Sequence, residues 1–215
     1  MLTKIKKKFQ SWILLEAEVA IKAGLTPNQI SALGVAFAVV SGLSYWLAGT
    51  AFRNEHWTIL MILAPLFLLI SGFCDALDGA LARLHGETTV FGGFLDSLLD
   101  RYADAAIYIG IIMGRLCDIE WGVIALVGSL LVSYARARSE AAGIKMETVG
   151  IAERADRLLI MVFGSFISLV WPEALRWCMI LLAILTNFTV LQRATHFYRR
   201  ANPRKEELTE PSPDP

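Results

Sequence analysis

Residues 57–104 read WTILMILAPLFLLISGFCDALDGALARLHGETTVFGGFLDSLLDRYAD, and the class of structure follows from them. From Trp57 to Leu77 the run is almost wholly apolar, and about 20 such residues suffice to cross a hydrocarbon layer. Charge arrives at its end. Asp75 and Asp78 close the apolar run, and Asp96, Asp100 and Asp104 then follow at four-residue intervals. Ionisable groups on a membrane helix are costly, and they mark a functional site by default.

The rest of the chain extends the same pattern. Of 215 residues, 55% are hydrophobic and only 19% charged, too apolar for an ordinary soluble domain and too long for a single anchor. Apolar runs place spans at Ile30 to Ala51, Trp57 to Leu77, Phe91 to Met113, Trp121 to Glu140, Ala155 to Trp171 and Leu175 to Tyr198. Ahead of them Ile5, Phe9, Trp12, Ile13 and Val19 recur at helical spacing beside Lys4, Lys6, Lys7 and Lys8, the pattern of a helix lying in the interface. Glu16 and Glu18 interrupt the apolar region that a cleaved signal peptide needs. The expected fold is an all-α polytopic membrane protein with six transmembrane helices and an N-terminal interfacial amphipathic helix. Its expected organisation is a lead-in over residues 1–29, a membrane domain over 30–200 and a disordered Pro- and Glu-rich tail over 201–215.

Basic residues orient the spans. They gather before the first span, between the fourth and fifth (Arg136, Arg138, Lys145, Arg154, Arg157) and at the chain's end (Arg193, Arg199, Arg200, Arg204, Lys205), whereas the opposite turns hold Arg53, Arg115 and Arg176. The positive-inside rule then puts both termini, and the acids flanking residues 80–90, on the cytoplasmic side of the cell membrane. The formal net charge is zero and suggests no nucleic-acid partner. Cys74, Cys117 and Cys178 lack any close pairing and read as packed thiols.

Residues three or four apart share a helix face, so Asp75 with Asp78, and Asp96 with Asp100, project as two pairs. Antiparallel helices joined by a short link set the pairs opposite one another. Four crowded carboxylates stay ionised only if cations neutralise them. An all-oxygen set fits magnesium or manganese, leaves calcium open, and without nearby His or paired Cys argues against zinc. Two such ions about 4 Å apart can clamp the attacking and leaving oxygens of a phosphoryl displacement. The blander reading pairs some of these acids with Arg83 or Arg101, and Asp104 is expected to play a supporting role. Gly72, Gly79, Gly92 and Gly93 lie level with the acids, where a ligand or a neighbouring helix can come close.

Written out, the residues are Asp75-x-x-Asp78-Gly79-x-x-Ala82-Arg83, eight residues, then Gly92-x-x-x-Asp96-x-x-x-Asp100. This resembles the signature of the CDP-alcohol phosphotransferases, with every fixed position present. The resemblance implies a six-helix, usually homodimeric membrane enzyme that moves a phosphatidyl-type group from a CDP-linked lipid to an alcohol and releases CMP. It implies that Asp75, Asp78, Asp96 and Asp100 hold two divalent cations, magnesium or manganese, and that Asp100 takes the acceptor's proton. It also implies that Gly79, Arg83, Thr89 and the stretch from Asn28 to Ser31 face the CDP-lipid. Thr26-Pro27-Asn28 equally makes a good helix start. A free Asp, with a pKa of about 3.9, is a weak base for an alcohol, so such a step relies on metal and on position.

The acceptor must be read from the later spans. Ser133, Arg136, Arg154, Arg157 and Arg193 collect near the cytoplasmic face, which suits a phosphate on the acceptor and equally the positive-inside rule. The stretches 133–140, 153–158 and 192–193 resemble segments of the phosphatidylinositol phosphate and archaetidylinositol phosphate synthases, which implies inositol phosphate as acceptor and those five residues as its phosphate pocket. Lys is expected where this chain has Arg136. Glycerol phosphate or serine as acceptor is the alternative within the family. An ion or proton transporter is the alternative from another class, disfavoured because transport sites tend to lie at midplane between repeats and no repeat is visible.

Overall fold

The computed structural model describes residue 24 and residues 26–50, 56–85, 89–146 and 149–202, with backbone alone over 83–85. The expected interfacial segment before residue 24 and the tail after residue 202 lie outside the described residues. Among the described residues there are six helices and no strand: α1 (Pro27–Gly49), α2 (Trp57–His85), α3 (Val90–Met113), α4 (Ile119–Ala141), α5 (Arg154–Ser168) and α6 (Ala174–Ala201). Four of them, α1, α2 over Trp57–Ala82, α4 and α6, are long and apolar enough to cross a membrane. Over the described residues the protein is all-helical, with the spans of an integral membrane protein.

Two helices fall short of that measure for physical reasons. In α3 the apolar surface is broken by Asp96, Asp100, Arg101 and Asp104, and α5 has 15 residues, about 22 Å at 1.5 Å each. Polar signals also move the helix ends away from the apolar runs. Gln29 N–H donates to Thr26 Oγ1 (3.4 Å) while Thr26 N–H donates to Gln29 Oε1 (2.9 Å), a capping box that starts α1 at Pro27 rather than Ile30. At its far end α2 continues past Leu77 to His85, so Asp75, Asp78 and Gly79 ride on one rod.

The helices close into a ring in the order α1, α2, α5, α6, α4, α3 and back to α1. Consecutive α2 and α3 do not lie along one another as the short link between them suggests; each packs on α1 instead. Glycines allow this. A Cβ at Gly42 would collide with the Ala106 carbonyl, one at Gly110 with the Gly42 backbone, and one at Gly49 with the Gly114 carbonyl, so α1 and α3 touch backbone to backbone. Tyr45, fully buried, reaches across the ring from α1 and shares a 2.7 Å hydrogen bond with Ser165 of α5. Such a bond contributes about 1 kcal/mol net and removes the cost of burying a bare hydroxyl. Tyr108, Ile111, Met179 and Leu182 fill the core around it, while Phe163, Ile184 and Leu191 point outward, as expected of helices solvated by lipid. The three cysteines are free thiols.

Candidate active site

One end of the ring collects the C-terminal part of α2, the first turns of α3 and the N-termini of α1 and α5. There Asp75, Asp78 and Asp96 each offer a carboxylate oxygen, and these oxygens lie within 4.8 Å of one another. Asp100 stands beside this trio rather than within it. The Arg154 guanidinium reaches in from the start of α5, with Nη1 2.8 Å from Asp75 Oδ1 and 2.7 Å from Asp100 Oδ1. Arg101 Nη2 donates to the other Asp100 oxygen at 3.1 Å, the pairing that the blander sequence reading anticipates. Ser31 Oγ donates to Asp78 Oδ2 at 2.5 Å and ties α1 to the cluster. The converging donors are all carboxylate oxygens, the chemistry of a site for a hard divalent cation.

A cavity opens on each side of the acids. The first, about 420 Å³, is lined by Asn28, Ser31, Gly79 and Thr89 together with Asp78 and Asp96. Thr89 also caps α3, its Oγ1 accepting from Gly92 N–H at 2.9 Å. Gly93 also lines this cavity, and a Cβ built there would meet nothing. Gly72, by contrast, is a packing glycine whose Cβ would strike Leu158. The Arg83 side chain lies outside the described residues. The second cavity, about 470 Å³, is lined by Asp75, Asp96 and Asp100 and by Ser133, Arg136, Arg154, Arg157 and Arg193. Asp96 borders both.

The arginines are positioned by the turn before α5. Gly150 there has φ 116°, a conformation that disfavours any side chain, and its Cα packs against Thr189 of α6. Thr189 Oγ1 accepts from Ala152 N–H at 3.2 Å, and Arg193 donates to the carbonyls of Val149 (2.9 Å) and Val132 (2.5 Å). Arg157, 2% exposed, donates to Ala152 O at 3.1 Å and to Asp104 Oδ2 at 3.2 Å. Asp104 also accepts from Arg154 Nε at 3.1 Å. So Asp104 sits one turn beyond Asp100, outside the trio, and anchors two arginines. Arg136 pairs with Glu140 at 2.9 Å and adds like charge near Arg193. Five arginines and five carboxylates line the second cavity in all.

Sequence reasoning missed two features. It put Arg154 with the arginines of the second cavity, which it does line, without foreseeing that the side chain also lies on the carboxylates; nothing in a pattern of charges reveals how far a side chain from a distant helix reaches. It also left Asp104 without partners, although the i, i+3 pair Arg154 and Arg157 was a signal for a shared acidic neighbour.

Comparison with known proteins agrees with this geometry. The model of the CDP-alcohol phosphatidyltransferase family matches residues 24–191. An archaetidylinositol phosphate synthase from Pyrococcus horikoshii is 37% identical over 202 residues, covering 93% of this chain and 98% of that one. A crystal structure of Mycobacterium tuberculosis phosphatidylinositol phosphate synthase with CDP-DAG bound superposes with a TM-score of 0.73 at 30% identity, covering 86% of this chain and 93% of that one. A structure of the same enzyme with manganese and citrate gives a TM-score of 0.74, also at 30% identity, covering 86% and 88%. With the acids, the first cavity and all of the ring but the end of α6 inside the matched region, this chain belongs to the CDP-alcohol phosphatidyltransferase family.

Proposed function

We propose that this protein transfers a phosphatidyl-type group from a CDP-linked lipid to inositol phosphate and releases CMP. The observation that carries the reading is the pair of cavities meeting at Asp96, one edged by small and hydroxyl residues, the other by arginines. The names of the relatives, synthases of archaetidylinositol phosphate and phosphatidylinositol phosphate, and the CDP-DAG in one neighbour support the same donor and acceptor.

In this reading Asp75, Asp78, Asp96 and Asp100 hold two divalent ions, magnesium or manganese. Bound there, such ions supply Lewis-acid stabilisation of the charge that develops on the diphosphate. Ser31 fixes the Asp78 carboxylate, and Asn28, Gly79, Arg83 and Thr89 bind the nucleotide end of the donor. Ser133, Arg136, Arg154, Arg157 and Arg193 bind the acceptor's phosphate, for which the guanidinium fork is suited. The acceptor hydroxyl oxygen then bonds to the lipid-side phosphorus as the bridging bond to CMP breaks, and its proton passes to Asp100.

The same reading takes all six helices as spans, with α3 and α5 crossing as members of the ring. Residues 30–200 then form one membrane domain, preceded by an N-terminal lead-in over 1–29 and followed by a cytoplasmic tail over 201–215. Both termini and the site face the cytoplasm across the cell membrane, and the working unit is a homodimer. The deciding assay measures CMP release by purified protein with magnesium and a CDP-lipid, across inositol phosphate, glycerol phosphate, serine and free inositol. Inositol phosphate is expected to support turnover at least tenfold faster than the others, since a site built to pair a polar group rejects analogues lacking it by about 10⁴ and tolerates near-isosteres better. Faster release with glycerol phosphate or serine would reassign the acceptor.

A further inference from the structure

Asp100 has a difficulty as a base. Arg154 lies on one of its oxygens at 2.7 Å and Arg101 on the other at 3.1 Å, so a hydroxyl must compete with two guanidinium groups for it. Arg154 is simultaneously 2.8 Å from Asp75, one of the three converging carboxylates. A single positive charge thus sits where the acids need neutralising. Its other end is anchored, because Nε donates to Asp104, which Arg157 holds in turn. Arg154 also lines the arginine-rich cavity, which Asp75 and Asp100 border, so its guanidinium stands between the acids and the other arginines of that cavity.

We infer that Arg154 is an internal counter-ion that competes with the divalent cation for Asp75 and Asp100, and that its release toward the second cavity couples metal loading to capture of the acceptor's phosphate. The inference rests on the acceptor reading above for its second half only. With Arg154 on the acids, the metal site and the acceptor site are both incomplete. A cation bound to the acids repels Arg154, and an anion in the cavity attracts it, so each ligand favours the other. Thermodynamic linkage makes this reciprocal: whatever factor the metal adds to phosphate affinity, the phosphate adds to metal affinity.

The test is manganese binding to the full-length protein in detergent, read from the EPR signal of free Mn²⁺, with and without inositol phosphate and with free inositol as the control. Arg154→Gln is expected to tighten Mn²⁺ binding about tenfold, within the usual range of coupling between sites. In the unsubstituted protein, inositol phosphate should tighten Mn²⁺ binding about fivefold, free inositol should do nothing, and Arg154→Gln should abolish the effect. An unchanged or weaker Mn²⁺ affinity in a folded Arg154→Gln protein overturns the counter-ion role. Tighter Mn²⁺ binding in that variant with no response to inositol phosphate in the parent keeps the competition and overturns the acceptor reading. Should the Gln variant fail to fold, Arg154→Lys decides the matter: a single ammonium cannot hold Asp104 and the acids at once, so its charge is less firmly kept on Asp75 and Asp100 and Mn²⁺ should bind more tightly than in the parent, whereas unchanged affinity overturns the counter-ion role.

Discussion

At the scale of single residues, Asp100 carries the sharpest expectation. Asp100→Asn keeps the side chain's shape and its place beside Arg101 and Arg154, but removes the charge and the proton-accepting oxygen. Loss of a general base costs about 10²–10⁴ in rate, so CMP release should fall by at least a hundredfold while the thermal unfolding midpoint stays near that of the parent. Turnover at the parental rate would remove Asp100 from the proton's path. The acids were legible in the sequence because helical spacing alone puts Asp75 with Asp78 and Asp96 with Asp100. Arg193 was less so. Charge marked it as an anion ligand, yet two of its donors are spent on Val149 and Val132 carbonyls and only 4% of the residue is exposed. Whatever it offers a phosphate, it first staples the turn before α5 to α4 and α6.

At the scale of elements, the contact between α1 and α3 makes its own demand. Gly110 and Gly42 meet so closely that a side chain on either displaces the other helix's backbone, which cannot rotate away as a side chain can. Gly110→Leu should therefore cost about 3 kcal/mol, the upper part of the usual range for overpacking, and lower the unfolding midpoint in detergent. Gly93→Ala is the matched control: nothing lies near its added Cβ, and Ala is the better helix former by about 0.5–1 kcal/mol, so its midpoint should hold or rise. Equal midpoints for the two variants would deny the backbone contact. Gly110-x-x-x-Gly114 has the spacing of a close-packing motif and meets the α1 backbone, whereas among the glycines level with the acids Gly72 packs against Leu158. Helix ends were misjudged. Hydropathy sees apolar side chains, whereas α1 is begun by the polar pair Thr26 and Gln29, and α2 runs on through charged residues.

At the scale of the whole molecule, the ring order is what the sequence withheld, because which helix sits beside which depends on contacts between residues far apart in the chain. Sequence adjacency puts α2 beside α3, yet each leans on α1, and Asp75 and Asp78 of the one meet Asp96 of the other. Like charges there oppose the approach of these helices, and Arg154 offsets part of that repulsion. A divalent cation held by the trio should therefore act as a clasp across the ring, stabilising the folded state by mass action. At a hundred times its Kd, a ligand that binds only the folded chain adds about 2.7 kcal/mol. For a chain of this size that is a rise of roughly 5–10 °C in unfolding midpoint, measurable by adding magnesium or manganese to protein stripped with a chelator. Asp96→Asn removes one of the three converging carboxylates while leaving the Asp75 pairing with Arg154 intact, so it should abolish most of that rise. It should also unfold later than the parent when no metal is present, because one of the mutually repelling charges is gone. A parent that shows no metal-dependent rise, or an Asp96→Asn variant that keeps all of it, would mean that the trio does not hold the ring closed through a cation.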